Sequence, residues 1–227
     1  MIYPFKVRCS SLGRLMGGFE RPKEELSEDA KSLITEIAVK NKYGREILMS
    51  SKETMKGNAV EDDSIALYSK VVGVPYIKSR KYYENDYLTG HVDLRDNVKV
   101  IDIKSPYSLQ TFAKARITSD YAWQLTGYMI LTGLMQAELA YCLVNAPEAL
   151  IFDELGRTAY SFKIFKEQEH EYGELEDKVR KNMTYDDIPE ARRVMRFEIT
   201  HQPIKEQMIM NKMILGSNYY NLIYSRI

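Results

Sequence analysis

Apolar and polar positions alternate most clearly in VKVIDIK, residues 98–104, where β-branched Val98, Val100, Ile101 and Ile103 surround Lys99, Asp102 and Lys104. The run follows a polar turn at Arg95-Asp96-Asn97, so the pattern predicts a hairpin. Residues i and i+2 share a strand face, which projects Asp102 and Lys104 to one side with the Ile103 carbonyl between them, near Asp93. The stretch from Tyr76 to Lys104 reads as a three-strand meander, and Ala137 to Val144 as a further buried strand. After a charged loop at Glu20 to Glu25, Leu33, Ile34, Ile37 and Ala38 provide the core face of a helix over 28–40. MKGNAVEDDSIALYSK, residues 55–70, is read as one helix that buries Ala59, Val60, Ile65, Ala66 and Leu67 and carries Glu61 four residues after Gly57. A helix around Phe112 precedes SDYAWQLTGYMILTGL, residues 119–134, a largely buried helix with Ser119 or Asp120 as N-cap and Gly133 near its end. Gln124 and Tyr128 form a polar line on one face of it.

The remaining elements are a charged helix over 166–182, a strand over Arg192 to Thr200, and a final helix spaced by Ile204, Met208, Met213, Leu215, Leu222 and Ile223. Closing over the chain's own core is the simpler role for that last helix, and a subunit contact the alternative. At the other end, Ser10 or Ser11 caps a short helix of Leu12, Leu15 and Met16 that Gly17-Gly18 ends. With Arg8 and Arg14 nearby, its exposed amides and serine hydroxyls suit an anion. These alternations predict an α/β fold, a central mixed sheet flanked by helices, in one domain over 1–227.

Charge narrows the function. The 227 residues carry 32 Lys+Arg and 32 Asp+Glu, so any polyanion partner has to be met by cations gathered locally, with Lys78, Arg80, Lys81, Lys114 and Arg116 as candidates. The 17 tyrosines suit base stacking or plain core packing. Cys9 and Cys142 have no CxxC spacing, which argues against a zinc knuckle or an iron–sulfur cluster and suits a reducing cytoplasm. No apolar run approaches a membrane span, the start lacks a signal peptide's hydrophobic core, and the 3 histidines fit neither HNH nor HExxH spacing.

Asp93, Asp102 and the Ile103 carbonyl are the oxygen ligands a hard divalent ion prefers, and such an ion can activate water and neutralise a phosphoryl group. Lys104 would orient or deprotonate the water, the second role calling for a lowered pKa. The plainer reading is a surface ion pair of Asp102 with Lys104, since D-x-K is short and common. Glu61 leans into the same site or lies on a solvated helix face, and Gln124 with Tyr128 either satisfy each other in the core or face a substrate cleft.

In order along the chain, Gly57 with Glu61, Asp93, Asp102 with Lys104, and Gln124 with Tyr128 resemble the G-x-x-x-E, D, (D/E)-x-K and Q-x-x-x-Y motifs of the PD-(D/E)xK nuclease superfamily. Within it, the chain resembles the phage lambda exonuclease and YqaJ-like recombinase branch, with Lys104-Ser105-Pro106 and the following YSLQTFAKA also similar. Val92 stands where many members have Pro, which leaves the local backbone open; the neighbouring His91 is given no catalytic role. The likeness covers residues 7–145 and weakens over 146–227, implying a restriction-endonuclease-like core with a C-terminal helical and strand elaboration. It further implies Glu61, Asp93, Asp102 and Ile103 as ligands of Mg²⁺, with Mn²⁺ able to substitute, and Lys104, Gln124 and Tyr128 as further catalytic residues. The activity implied is a 5′ to 3′ exonuclease that acts on duplex DNA ends and leaves a 3′ single strand, with Arg8, Ser10 and Arg14 near the terminal 5′-phosphate. A ring-shaped homotrimer, a single-strand annealing partner and a bacterial host cytoplasm go with that resemblance. A structure-selective or restriction-type endonuclease is the rival enzyme, and a noncatalytic DNA-binding assembly module the rival outside catalysis.

Overall fold

The computed structural model describes residues 4–18, 24–47 and 51–227; the 20–23 part of the expected charged loop lies outside them. Its centre is the strand β5, Lys99–Lys104. Antiparallel β4, Leu94–Arg95, joins it through the expected turn, with Leu94 opposite Ile101 and Arg95 opposite Val100. Asp96 makes that turn: its Oδ1 accepts from the Val98 and Lys99 amides at 2.7 and 2.8 Å, an Asx arrangement.

From β5 the chain crosses through α5, Leu109–Ala113, and α6, Ser119–Thr132, into the parallel strand β6, Gln136–Cys142. The antiparallel strand β7, Val194–Thr200, completes the order β4-β5-β6-β7. A mixed sheet flanked by helices is therefore present. A smaller sheet has β1, Val7–Arg8, parallel to β3, Leu88–His91, which pairs antiparallel with β2, Tyr82–Glu84.

The three-strand meander is corrected to four strands divided between two sheets. Val92 is buried in the main core and Leu94 in a second core, yet two residues apart on one strand they would share a face. The chain therefore breaks at Val92 and Asp93.

The two faces of the larger sheet explain these cores. Val100, Ala137, Leu139 and Tyr141 meet Trp123, Leu125, Tyr128 and Met129 of α6 on one side. Ile101, Ile103, Ala140 and Cys142 meet Ile65, Leu67 and Tyr68 on the other. Those last three belong to α4, Glu61–Val72, which follows α3, Lys52–Ala59. The single helix expected over 55–70 is thus two, parted at Val60 (φ −116°, ψ 16°). Gly57 and Asn58 are weak helix formers, Val60 is drawn into the core, and Glu61, Asp62 and Asp63 suit the positive end of a new helix.

The other expected helices are α1, Leu12–Leu15, and α2, Glu28–Tyr43. The cap of α6 shifts by one residue: Thr118, not Ser119 or Asp120, accepts from the Tyr121 amide, and Gly133 closes the helix at φ 71°.

An additional helix, α7, Glu148–Phe162, packs with α8, Glu169–Met183, in a third cluster through Ile151, Leu155, Ala159, Leu175 and Val179. The last helix, α9, Pro203–Arg226, packs on α2 and joins the main core. Its buried stripe is Ile209, Met213, Gly216, Tyr220 and Ile223, whereas Ile204, Leu215 and Leu222 are exposed. Residues beyond 145 thus supply both a sheet strand and core packing.

Candidate active site

The β4–β5 register runs on to set Asp93 across from Asp102, although Asp93 lies in the bend before β4 rather than on a strand. The Ile103 amide donates to Asp93 Oδ2 at 2.8 Å and fixes that carboxylate against β5. Asp102 is 2% exposed, and its Oδ1 accepts from Gln124 Nε2 at 2.9 Å. The same Nε2 donates to the Tyr128 hydroxyl at 3.0 Å. Of the two alternatives for Gln124 and Tyr128, these bonds show them satisfying each other, and Gln124 reaching Asp102 as well. Gly90 makes room, since a Cβ there would lie 2.9 Å from Tyr128 Cε1. His91 is exposed, its ring 5.0 Å from that of Tyr82.

Lys104 Nζ lies 2.7 Å from Asp102 Oδ2, and the ammonium is the partner of this buried oxygen. Two carboxylates thus share one ammonium. Asp93 keeps some contact with solvent, yet burial and then the Asp102 charge push its carboxyl up to about 7, against the pull of the Ile103 amide and Lys104. Burial works to lower the Lys104 pKa, but Asp102 and Asp93 outweigh it and hold the ammonium above its ordinary value. The lowered pKa that a base role calls for is therefore not met: the neighbouring anions win over desolvation.

Glu61 opens α4 and is bound to Lys78 at 2.5 Å. It adds to the field that raises Asp93, but among the described residues no three acidic, histidine or cysteine side chains gather as a metal cluster. Two carboxylates nonetheless suit Mg²⁺, which commonly takes one or two plus water and substrate oxygens. The repulsion between the two carboxylates that raises Asp93 is what a hard cation would relieve, so Asp93 and Asp102 fit one.

Arg14 is paired with acids rather than free: its guanidinium donates to Glu36 at 2.9 and 3.0 Å and to Asp29 at 2.9 Å, which uses three of its five N–H groups. Arg8 and Ser10 are exposed at the mouth of a short turn, and neither Ser10 nor Ser11 caps it with its side chain. Of the cations considered for a groove, Lys78 is paired with Glu61 and Lys81 sits 4.8 Å over the Tyr83 ring, while Arg80, Lys114 and Arg116 are exposed. Tyr121 was not singled out from sequence, although Tyr121, Gln124 and Tyr128 form an i, i+3, i+7 stripe; its ring lies 4.9 Å from Lys104 Nζ.

The mixed sheet, Asp93 opposed to Asp102 of β5, and the polar stripe on α6 together make a nuclease-like fold. Among solved structures, a phage-related exonuclease from Haemophilus somnus 129PT is similar over 99% of this chain and 97% of its own, with 26% identity and a TM-score of 0.75. An alkaline exonuclease from Laribacter hongkongensis shares the fold over 97% of this chain and 90% of its own, at 11% identity and a TM-score of 0.66. The structure of that enzyme with dAMP gives 13% identity, 97% and 89% coverage, and a TM-score of 0.59. No protein-family model matches the chain, and no curated protein sequence does. The likeness to the Haemophilus somnus protein covers 99% of the chain and so extends past residue 145.

Proposed function

We propose that the protein is a Mg²⁺-dependent exodeoxyribonuclease that degrades one strand of linear duplex DNA from its 5′ end and leaves a 3′ single strand. The observation that carries this reading is the opposed pair of Asp93 and Asp102 with Lys104 as their shared cation, in a chain similar over 99% of its length to a phage-related exonuclease. Asp93 and Asp102, with the Ile103 carbonyl and Glu61 once it leaves Lys78, would hold Mg²⁺ or Mn²⁺. When bound, the ion supplies charge neutralisation at the phosphate and an activated water.

The chain's own groups do the rest. Lys104, protonated at neutral pH, orients the water and balances phosphoryl charge. Gln124 holds Asp102 in one orientation, and Tyr128 holds Gln124. Arg8 and Ser10, with Arg14, are the candidates for the terminal 5′-phosphate. The 5′ to 3′ direction, a ring-shaped trimer, a single-strand annealing partner and a bacterial cytoplasmic setting rest on the family resemblance; among the described residues no helix is long and apolar enough to cross a membrane.

The test is digestion of 5′-labelled linear duplex and of closed circular duplex, with Mg²⁺, with Mn²⁺ and with chelator. Release of label from linear DNA only, and only with metal, is the expected result. A cut circle would replace the reading with an endonuclease, and unchanged cleavage by both Lys104→Ala and Asp102→Ala would sink the site. Comparing 5′-phosphate with 5′-hydroxyl ends in wild type and Arg8→Ala tests the end contact.

A further inference from the structure

Lys56, in α3, is 0% exposed and has no carboxylate partner among the described residues. Its ammonium donates to the carbonyls of Pro106 at 2.9 Å and Tyr107 at 3.2 Å, and lies 5.4 Å from the Tyr185 ring. Burial pushes its pKa down to about 8. A buried cation without a counter-ion is costly, and an apolar side chain of similar length would fill the same volume at less cost.

What it holds explains its place. β5 ends at Lys104, and the chain then turns through Ser105, Pro106 and Tyr107, where Pro106 has no amide to extend the sheet. Ser64 of α4, also 0% exposed, meets the Ser105 hydroxyl oxygen to oxygen at 2.7 Å. Three consecutive residues after Lys104 are therefore tied down from two helices, and the two ties bracket Glu61 in sequence.

On the nuclease reading above, we propose that Lys56 and Ser64 are positioning residues that pin the Ser105–Tyr107 segment and so set Asp102 and Lys104 relative to the Glu61 corner. The pins touch no reacting atom. They act on rate through placement, where an error of about 1 Å can cost on the order of 10²-fold. Two N–H bonds to two carbonyls survive loss of the Lys56 proton, so the pin is a matter of reach and hydrogen bonding rather than charge.

The experiment measures kcat and KM on 5′-labelled linear duplex, DNA affinity with Ca²⁺ in place of Mg²⁺, and thermal melting, for wild type, Lys56→Met, Lys56→Gln and Ser64→Ala. Lys56→Met should lower kcat roughly 10- to 100-fold with KM, DNA affinity and melting temperature close to wild type. Lys56→Gln, which retains one donor, should fall between, and Ser64→Ala, a small change that keeps the fold, should lose kcat several-fold. Wild-type kcat in Ser64→Ala and in either Lys56 variant overturns the pins, as does a fall in kcat that only tracks lost stability and affinity. Were wild type itself inert on DNA, the nuclease reading would fall and take the pins with it; an active wild type with unaffected variants removes the pins alone.

Discussion

Two acidic sites lie close together at the larger sheet and are treated in opposite ways. Glu138 on β6 is 0% exposed and fully served: Tyr68 donates at 2.8 Å, Arg196 at 2.6 and 2.8 Å, and Lys99 also binds it. Although burial works against it, Arg196, Lys99 and Tyr68 together hold its pKa below the ordinary value. Asp102 of β5 and Asp93 in the bend before β4 have one lysine between them. The first arrangement ties strands together, whereas the second keeps negative charge in excess. Surplus charge held in place by a sheet is a cost to stability.

The sharpest way to break this contrast is to remove one acid from each site. Asp102→Asn and Lys104→Ala should each lower kcat on the order of 10²–10⁴-fold. The melting temperature of Asp102→Asn should hold or rise, because the repulsion with Asp93 goes. Glu138→Ala should do the reverse and cost about 3–5 kcal/mol, since it strands a buried hydroxyl and two cations, while kcat per folded molecule stays near wild type. Thermal melts beside kcat normalised to folded protein read both; a stable, active Glu138→Ala would erase the distinction.

The pH dependence separates the sites by sign. With its carboxyl raised from 3.8 to about 7, Asp93 binds a proton more tightly in the native state than in the unfolded chain across that range. Metal-free protein should therefore lose roughly 1–4 kcal/mol as pH rises from about 4 to 7, and Asp93→Asn should flatten that slope. Glu138, lowered from 4.5, adds stability that is complete above that value and is lost as pH falls through its native pKa. Denaturant melts in chelator across the range resolve the two limbs.

A smaller effect follows from the unserved charge. Mg²⁺ at about 100 times its Kd should stabilise the wild type by roughly 2.7 kcal/mol and Asp102→Asn far less. Equal thermal shifts in both would remove the metal from this site. Smallest of all, Lys78→Ala should change stability by about 0–1 kcal/mol, because its pair with Glu61 is largely exposed, while raising Mg²⁺ affinity by freeing a carboxylate. Calorimetric titration with Mg²⁺ reads that change.

Asp102, Lys104, Gln124 and Tyr128 were legible in sequence because each pair sits within one element, where the periods of 2 and 3.6 decide which side chains share a face. The hairpin turn and the Gly133 stop were legible for the same local reason. Val60 and the Val92–Asp93 bend were not, because each break is forced by which of two cores a residue enters, and that is settled by packing far along the chain. The partners of Arg14 were not legible for a similar reason: Asp29 and Glu36 reach it from α2. Helix α7 was readable in the four-residue steps of Ile151, Leu155 and Ala159, but those steps carry no trace of the chemistry and drew no attention.

The strand order β4-β5-β6-β7 has a consequence during synthesis. Every motif residue through Tyr128 leaves the ribosome well before Val194, where β7 starts. At roughly 5–20 residues per second, the nascent chain spends several seconds with all the nuclease motifs made and β6 still an open edge. The larger sheet thus receives its last strand only after every one of these side chains has been made.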